Sequence, residues 1–188
     1  MNAEFKEALY ESPIIAAVKD DDGLEEALGS DSSIIFVLYG DVISISDIVA
    51  GIKDSGKMAF VHVDLTVGLS SKDVAVDFIK KYTKADGIIS TRAASIKRAR
   101  ELGLATVMRF FMIDSMAYAG IKDQIIQAKP DVIELLPGLM PKIVKKVATM
   151  TKRPIIAGGL ISDREDVMSI LDAGATAVSS TNQDVWRL

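Results

Sequence analysis

The chain has 188 residues, a formal net charge of −4 and no cysteine. That length suffices for one domain with a full core, and the missing thiols exclude disulfides, thiolate metal sites and cysteine nucleophiles. The acidic balance argues against a nucleic-acid partner, because binding to a phosphate backbone rests largely on Lys and Arg displacing counterions.

The N-terminus, MNAEFKEALYESP, is acidic and amphipathic and lacks the basic-then-apolar order of a signal peptide. The longest apolar run, LATVMRFFMI, is interrupted by Arg109 and falls short of a membrane span. A cytoplasmic protein without a membrane partner is expected. Short apolar, β-branched runs then alternate with helical patterns to the end of the chain. Strands are predicted at Pro13–Lys19, Ser33–Gly40, Met58–Leu65, Gly87–Thr91, Ala105–Phe111, Val132–Gly138, Pro154–Gly159 and Ala177–Thr181.

The segments between them carry helix signals. Ser70 or Ser71 can cap KDVAVDFIKKY. Ala93–Leu102 is followed by Gly103 as a stop, and Asp163 precedes REDVMSILDA, which Gly174 ends. Pro141 suits the first turn of PKIVKKVATM. Asp41 and Asp114 read as caps of the helices that follow them. Parallel neighbours need crossover connections, and eight strand–helix units with polar residues gathered at the strand C-termini predict a closed (β/α)₈ TIM barrel. It should be compact, one domain over residues 1–188.

The strongest local signal is PIIAGGLIS followed, one helix later, by GATAVSSTN. Gly158 and Gly159 leave bare amides where strand seven ends, and Ser179, Ser180 and Thr181 bring hydroxyls to the end of strand eight. Loops after these two strands form the usual phosphate site of such barrels. Asn182–Leu188 is expected to add a short helix whose N-terminal amides face the same anion. Gly-Gly with polar loop residues is also an ordinary turn; the pairing across strands seven and eight favours phosphate.

Lys19, Asp64, Arg109 and Glu134 stand at or near other strand ends and are candidates for the polar end of the ligand. A charge within so apolar a strand needs a partner or a ligand. An Arg109–Glu134 salt bridge between adjacent strands is the structural alternative, and both can hold at once. His62, the lone histidine, suits a structural role. No EF-hand or zinc spacing is present, so no metal and no cofactor are expected. Nor is a paired nucleophile and base, and no catalytic residue is assigned. Two locally basic helices, one with Arg92, Lys97, Arg98 and Arg100, the other with Lys142, Lys145, Lys146, Lys152 and Arg153, read first as solvated faces.

PIIAAVKD, VHVDLTVGLSS, DGIISTR, RFFMIDS, IELLPGLMPKI and IAGGLI with AVSSTN, in that order, resemble the glycerol-3-phosphate-responsive antiterminators. The resemblance spans almost the whole chain, with VHVDL, DGIIST and IELLPG its most specific pieces. It implies a barrel that senses glycerol 3-phosphate and acts on the leader messenger RNA of glycerol-utilisation genes, a regulator without turnover. The phosphate would go to the Gly158, Gly159, Ser179, Ser180 corner, and the hydroxyls to a carboxylate such as Glu134 or Asp64. Two alternatives stand beside it. One is a barrel enzyme (isomerase, aldolase or synthase) acting on a phosphorylated metabolite, with Lys19 as a Schiff-base candidate. The other is an interaction module, a homo-oligomer that buries its basic helices.

Overall fold

A computed structural model describes all of residues 1–188. Eight parallel strands close on themselves in sequential order: β1 (Ile14–Val18), β2 (Ile34–Val37), β3 (Met58–His62), β4 (Gly87–Ser90), β5 (Ala105–Phe111), β6 (Val132–Leu136), β7 (Ile155–Gly158) and β8 (Ala177–Ser180). The expected (β/α)₈ barrel is therefore present, each strand inside its predicted run. Helices α2 (Asp21–Leu28), α3 (Ile45–Asp54), α4 (Val74–Tyr82), α5 (Ala93–Glu101), α6 (Ser115–Ala128), α7 (Pro141–Met150) and α8 (Arg164–Asp172) form the outer ring.

The helix ends follow from local chemistry. Asp20, Asp114 and Asp163 accept hydrogen bonds from the N–H groups of Gly23, Ala117 and Asp166 at the starts of α2, α6 and α8. Pro141 opens α7 as expected. Two expectations shift. Helix α4 starts at Val74 after an Asp73 that makes no side-chain cap, while the Ser70 hydroxyl accepts from Lys72 N–H in the preceding turn. Asp41 accepts from the Ile43 and Ser44 N–H groups, bracing the turn before α3 instead of capping it.

Alternation along the strands divides the core in two. Outward-facing residues pack under the helix ring, as Val37, Val61 and Ile88 do on one side and Met108, Ile133 and Val178 on the other. Inward-facing residues fill the barrel, among them Ile15, Phe36, Phe60, Val107, Val132 and Ile156. Helix α1 (Ala3–Glu11), which precedes the first strand, belongs to the inner set. Its Phe5 and Leu9 are fully buried against the barrel interior, and the Phe5 ring lies 4.5 Å from that of Phe60. The amphipathic N-terminus is thus a plug. Gly87 leaves the room that Phe60 takes, since a Cβ there would strike both the Phe60 ring and the Ala105 carbonyl.

The C-terminal segment departs from expectation. Asn182–Leu188 forms one 3₁₀ turn, Val185–Arg187, whose N–H groups are already bonded to carbonyls of Asn182, Gln183 and Asp184. It offers no helix N-terminus to an anion. Its role is packing: the buried Trp186 donates from Nε1 to the Ser180 carbonyl at 2.7 Å.

Emptying the plug should cost what a large-to-small core change costs. Phe5→Ala is expected to lower stability by about 3–5 kcal/mol, read as a shifted urea midpoint. A loss below 1 kcal/mol would mean that α1 does not close the barrel in solution.

Candidate functional site

The inward row changes character toward the strand C-termini. Above Phe60, Val107, Val132 and Ala177 come His62, Arg109, Glu134 and Ser179, each two residues further along its strand. Arg109 and Glu134 are register partners on β5 and β6. Arg109 Nε donates to Glu134 Oε2 at 2.6 Å, with side-chain exposures of 6% and 0%. Glu134 Oε1 accepts from the Ser179 hydroxyl at 2.7 Å. The carboxylate is therefore held from two sides, the condition under which a buried charge is tolerated. The Arg109 guanidinium uses only Nε; its two terminal amino groups make no hydrogen bond within the protein, and the residue lines an open cavity.

Gly158 serves this network. A Cβ there would overlap Ser179 Oγ and lie 2.8 Å from Glu134 Oε1. The residue is bare because the carboxylate and hydroxyl need the space, and it does not line the cavity. Gly159 does. It has φ +77° and is followed by Leu160 at φ +64°, so the chain turns through two left-handed residues in succession. Glycine suits the first position; at the second, leucine is held in a conformation that side chains disfavour.

The cavity lies at the strand C-termini and measures about 370 Å³. Ala17, Leu38, Arg109, Glu134 and Leu136 line it from the strands and strand ends, together with residues 159–162 and 179–182. The N–H groups of Gly159, Leu160, Ile161 and Thr181 meet no acceptor within the protein, and the Thr181 hydroxyl is also free. The serine hydroxyls are committed: Ser179 donates to Glu134, and Ser180 donates to the Ile161 carbonyl at 2.8 Å while accepting from Asn182 N–H. The unpartnered donors of these lining residues are thus mostly main-chain. Leu160 and Ile161 carried no sequence signal, since what they contribute is backbone exposed by a turn. The Gly138 N–H donates to the Gly159 carbonyl at 3.0 Å and braces that turn; the Pro-Gly pair in IELLPG was its one visible trace.

The other expected polar residues lie apart. Lys19 is exposed and lines an adjoining hollow with Asp20 and Asp22, which meets the main cavity at Ala17, Thr181 and Asn182. Asp64 does not line the cavity. It accepts from the Ser90 hydroxyl and from the Thr91 N–H and hydroxyl, and pairs with Arg92 at 2.6 Å. Burial pushes its carboxyl up, but those donors outweigh it and hold the group below the usual carboxylate range. Its acceptor sites are taken. His62 is buried with Nδ1 unpartnered. Burial first, and the neighbouring Arg109 second, push its pKa down to about 4, against the pull of Asp64.

The class is thus a (β/α)₈ barrel with an open, donor-lined cavity where β7 and β8 end. The chain belongs to the glycerol-3-phosphate responsive antiterminator family, whose model matches residues 14–186. It is 47% identical over 180 residues to the uncharacterized protein YgcP of Escherichia coli (strain K12), covering 96% of this chain and 94% of that protein. The crystal structure of a glycerol uptake operon antiterminator regulatory protein from Listeria monocytogenes superposes with a TM-score of 0.89 at 37% identity, covering 92% of this chain and 94% of that one. A glycerol uptake operon antiterminator-related protein from Thermotoga maritima gives 0.83 at 33%, covering 94% and 99%.

Two measurements probe this layer. Glu134→Ala strands the Arg109 charge and is expected to cost about 3–5 kcal/mol; an unchanged urea midpoint would show that the pair is not buried in solution. For His62, the folded pKa lies below the unfolded value of 6.5. The unfolded chain then binds a proton that the fold does not, and stability falls as pH drops from about 6.5 toward 4, by up to about 1.4 kcal/mol per pH unit. Urea melts of wild type and His62→Gln at pH 7 and pH 5 should show the smaller acid loss in the variant; equal losses would place the imidazole in water.

Proposed function

We propose that this protein is a cytoplasmic glycerol 3-phosphate sensor that acts, when loaded, on the leader messenger RNA of glycerol-utilisation genes and catalyses nothing. Membership of the antiterminator family supports the regulatory role. One observation carries the ligand reading: four residues with main-chain N–H groups that meet no acceptor, Gly159, Leu160, Ile161 and Thr181, line a single cavity together with Arg109, whose terminal amino groups are also unpartnered. Bare amides of this kind suit an oxyanion, and about 370 Å³ suits a small metabolite.

In this reading the phosphate lies against Gly159 and Thr181, with Ser179, Ser180 and Gly158 holding the corner's shape. The glycerol end reaches toward Arg109, whose donors accommodate hydroxyl oxygens, and Glu134 acts by aiming Arg109. Lys19 adds positive charge from the adjoining hollow. Asp64 contributes by bracing the ends of β3 and β4. No cofactor or metal is assigned a part. The enzyme alternative would need a lysine that is desolvated or set beside another cation, and Lys19 is exposed between carboxylates.

Linkage supplies the test. At a hundred times its Kd, glycerol 3-phosphate should add about 2.7 kcal/mol of stability, a rise of roughly 5–10 °C in Tm. Glycerol alone should add nothing and inorganic phosphate little. Arg109→Gln should weaken the response to glycerol 3-phosphate more than that to phosphate. A flat Tm across millimolar glycerol 3-phosphate would remove the sensor reading.

A further inference from the structure

The outer wall holds an imbalance that the net charge conceals. Residues 92–153 carry twelve Lys and Arg against five Asp and Glu, while the rest of the chain carries ten against twenty-one. Because the strands follow one another round the barrel in chain order, α6 lies across the barrel from α2. The α2 side bears Asp20, Asp21, Asp22, Glu25, Glu26 and Asp31. The α5–α7 side bears the cations.

Few of these cations are neutralised. Arg92, Arg98 and Arg109 form ion pairs, with Asp64, with Asp77 and Glu101, and with Glu134. The other nine of the twelve form none. Lys122, Lys142, Lys145 and Lys146 among them are exposed. Like charges repel when they lie within a Debye length, about 8 Å at physiological salt. Segregation of both signs onto opposite walls instead builds a directional field, which draws a polyanion to one side and turns it away from the other.

We propose that the wall formed by α5, α6 and α7 is the surface on which an RNA phosphate backbone docks. The proposal rests on the RNA half of the function above and gives that half a location. An overall negative protein binds RNA in this way because the contact is local, and the acidic wall fixes the orientation of approach.

The same wall is tied to the ligand cavity. The Gly159 carbonyl accepts from Gly138 N–H, and the Gly138 carbonyl accepts from Met140 N–H at 2.7 Å. Met140 is the residue before α7, and its carbonyl accepts the first hydrogen bonds of that helix. Lys142, Lys145 and Lys146 lie in its first two turns. An anion that orders the Gly159–Ile161 turn therefore acts, through two hydrogen bonds, on the helix that carries them.

The test uses the full chain, glycerol 3-phosphate at saturation, and a fluorescein-labelled RNA hairpin of mixed sequence followed by anisotropy over a salt series. K145E/K146E should weaken binding at low salt by about tenfold or more and lower the log–log salt slope by about two. K6E/K72E makes the same charge change off this wall and should leave both readouts near wild type; matching Tm values establish that each variant is folded. Equal weakening by the two variants, or none by K145E/K146E, overturns the proposal. Wild type binding polyglutamate but no RNA would assign the wall to an acidic protein and also overturn it. Wild type binding no RNA overturns the proposal together with the RNA half of the function, while the glycerol 3-phosphate shift in Tm reports the sensor half separately.

Discussion

A carboxylate with no exposed surface, Glu134, governs the upper end of this barrel. Removing such a group from water is costly, and the cost is offset only when its oxygens are met by donors held in place. Arg109 and Ser179 are those donors, one from the adjacent strand β5 and one from β8, two strands away on the other side of β7. The arrangement dictates its neighbours. Gly158 must lack a side chain, because Ser179 and Glu134 occupy that space. Arg109 commits Nε to the carboxylate and keeps its terminal amino groups unbonded within the protein. A polar layer thus sits on an apolar plug, and the cavity's charged wall is fixed before any ligand arrives.

The opposite wall has a different origin. Its donors are main-chain groups released where β7 and β8 end, and the turn that releases them includes a leucine at positive φ. Such a conformation is retained only when its surroundings over-determine it. Here the Ile161 carbonyl is bonded by Ser180, the Gly159 carbonyl by Gly138, and Ser162 N–H by Asp166. Three separate elements pin one short loop. Side chains thus shape the corner while the backbone supplies its donors, an economical division for holding an oxyanion, which needs close approach more than bulk.

Charge follows a similar partition between inside and outside. Two of the mouth cations, Arg92 and Arg109, are each paired with a carboxylate, Lys19 in the adjoining hollow is not, and most of the other uncompensated cations of residues 92–153 lie on the outer helices. In the proposed function, ligand and polyanion would therefore draw on different groups. The route between them, from Gly159 through Gly138 to the start of α7, is short and made of main-chain hydrogen bonds. A ligand can bias the outer wall only by its differential affinity for two arrangements of that route.

Much of this was legible in the chain itself. Short β-branched runs alternating with capped helices determine a parallel sheet, and each of the eight runs contains its strand, because local periodicity and capping are properties of neighbouring residues. The Arg109–Glu134 pair was legible as an alternative, since each charge interrupts an apolar strand. What only the tertiary structure decided depends on contacts distant in sequence. Helix α1 turns out to fill the barrel floor, which amphipathicity alone does not specify. Ser179 and Ser180 line the cavity with hydroxyls already donated to Glu134 and to the Ile161 carbonyl, because a hydroxyl's commitment depends on which acceptor the fold brings near it. Asp64 is drawn into the end of β4 for the same reason. The C-terminal residues wind into a single 3₁₀ turn that buries Trp186, a contact made with β8 that local sequence does not specify. The net charge, read as one number, hid two opposed walls, since only the closed ring of helices sets which charges share a face.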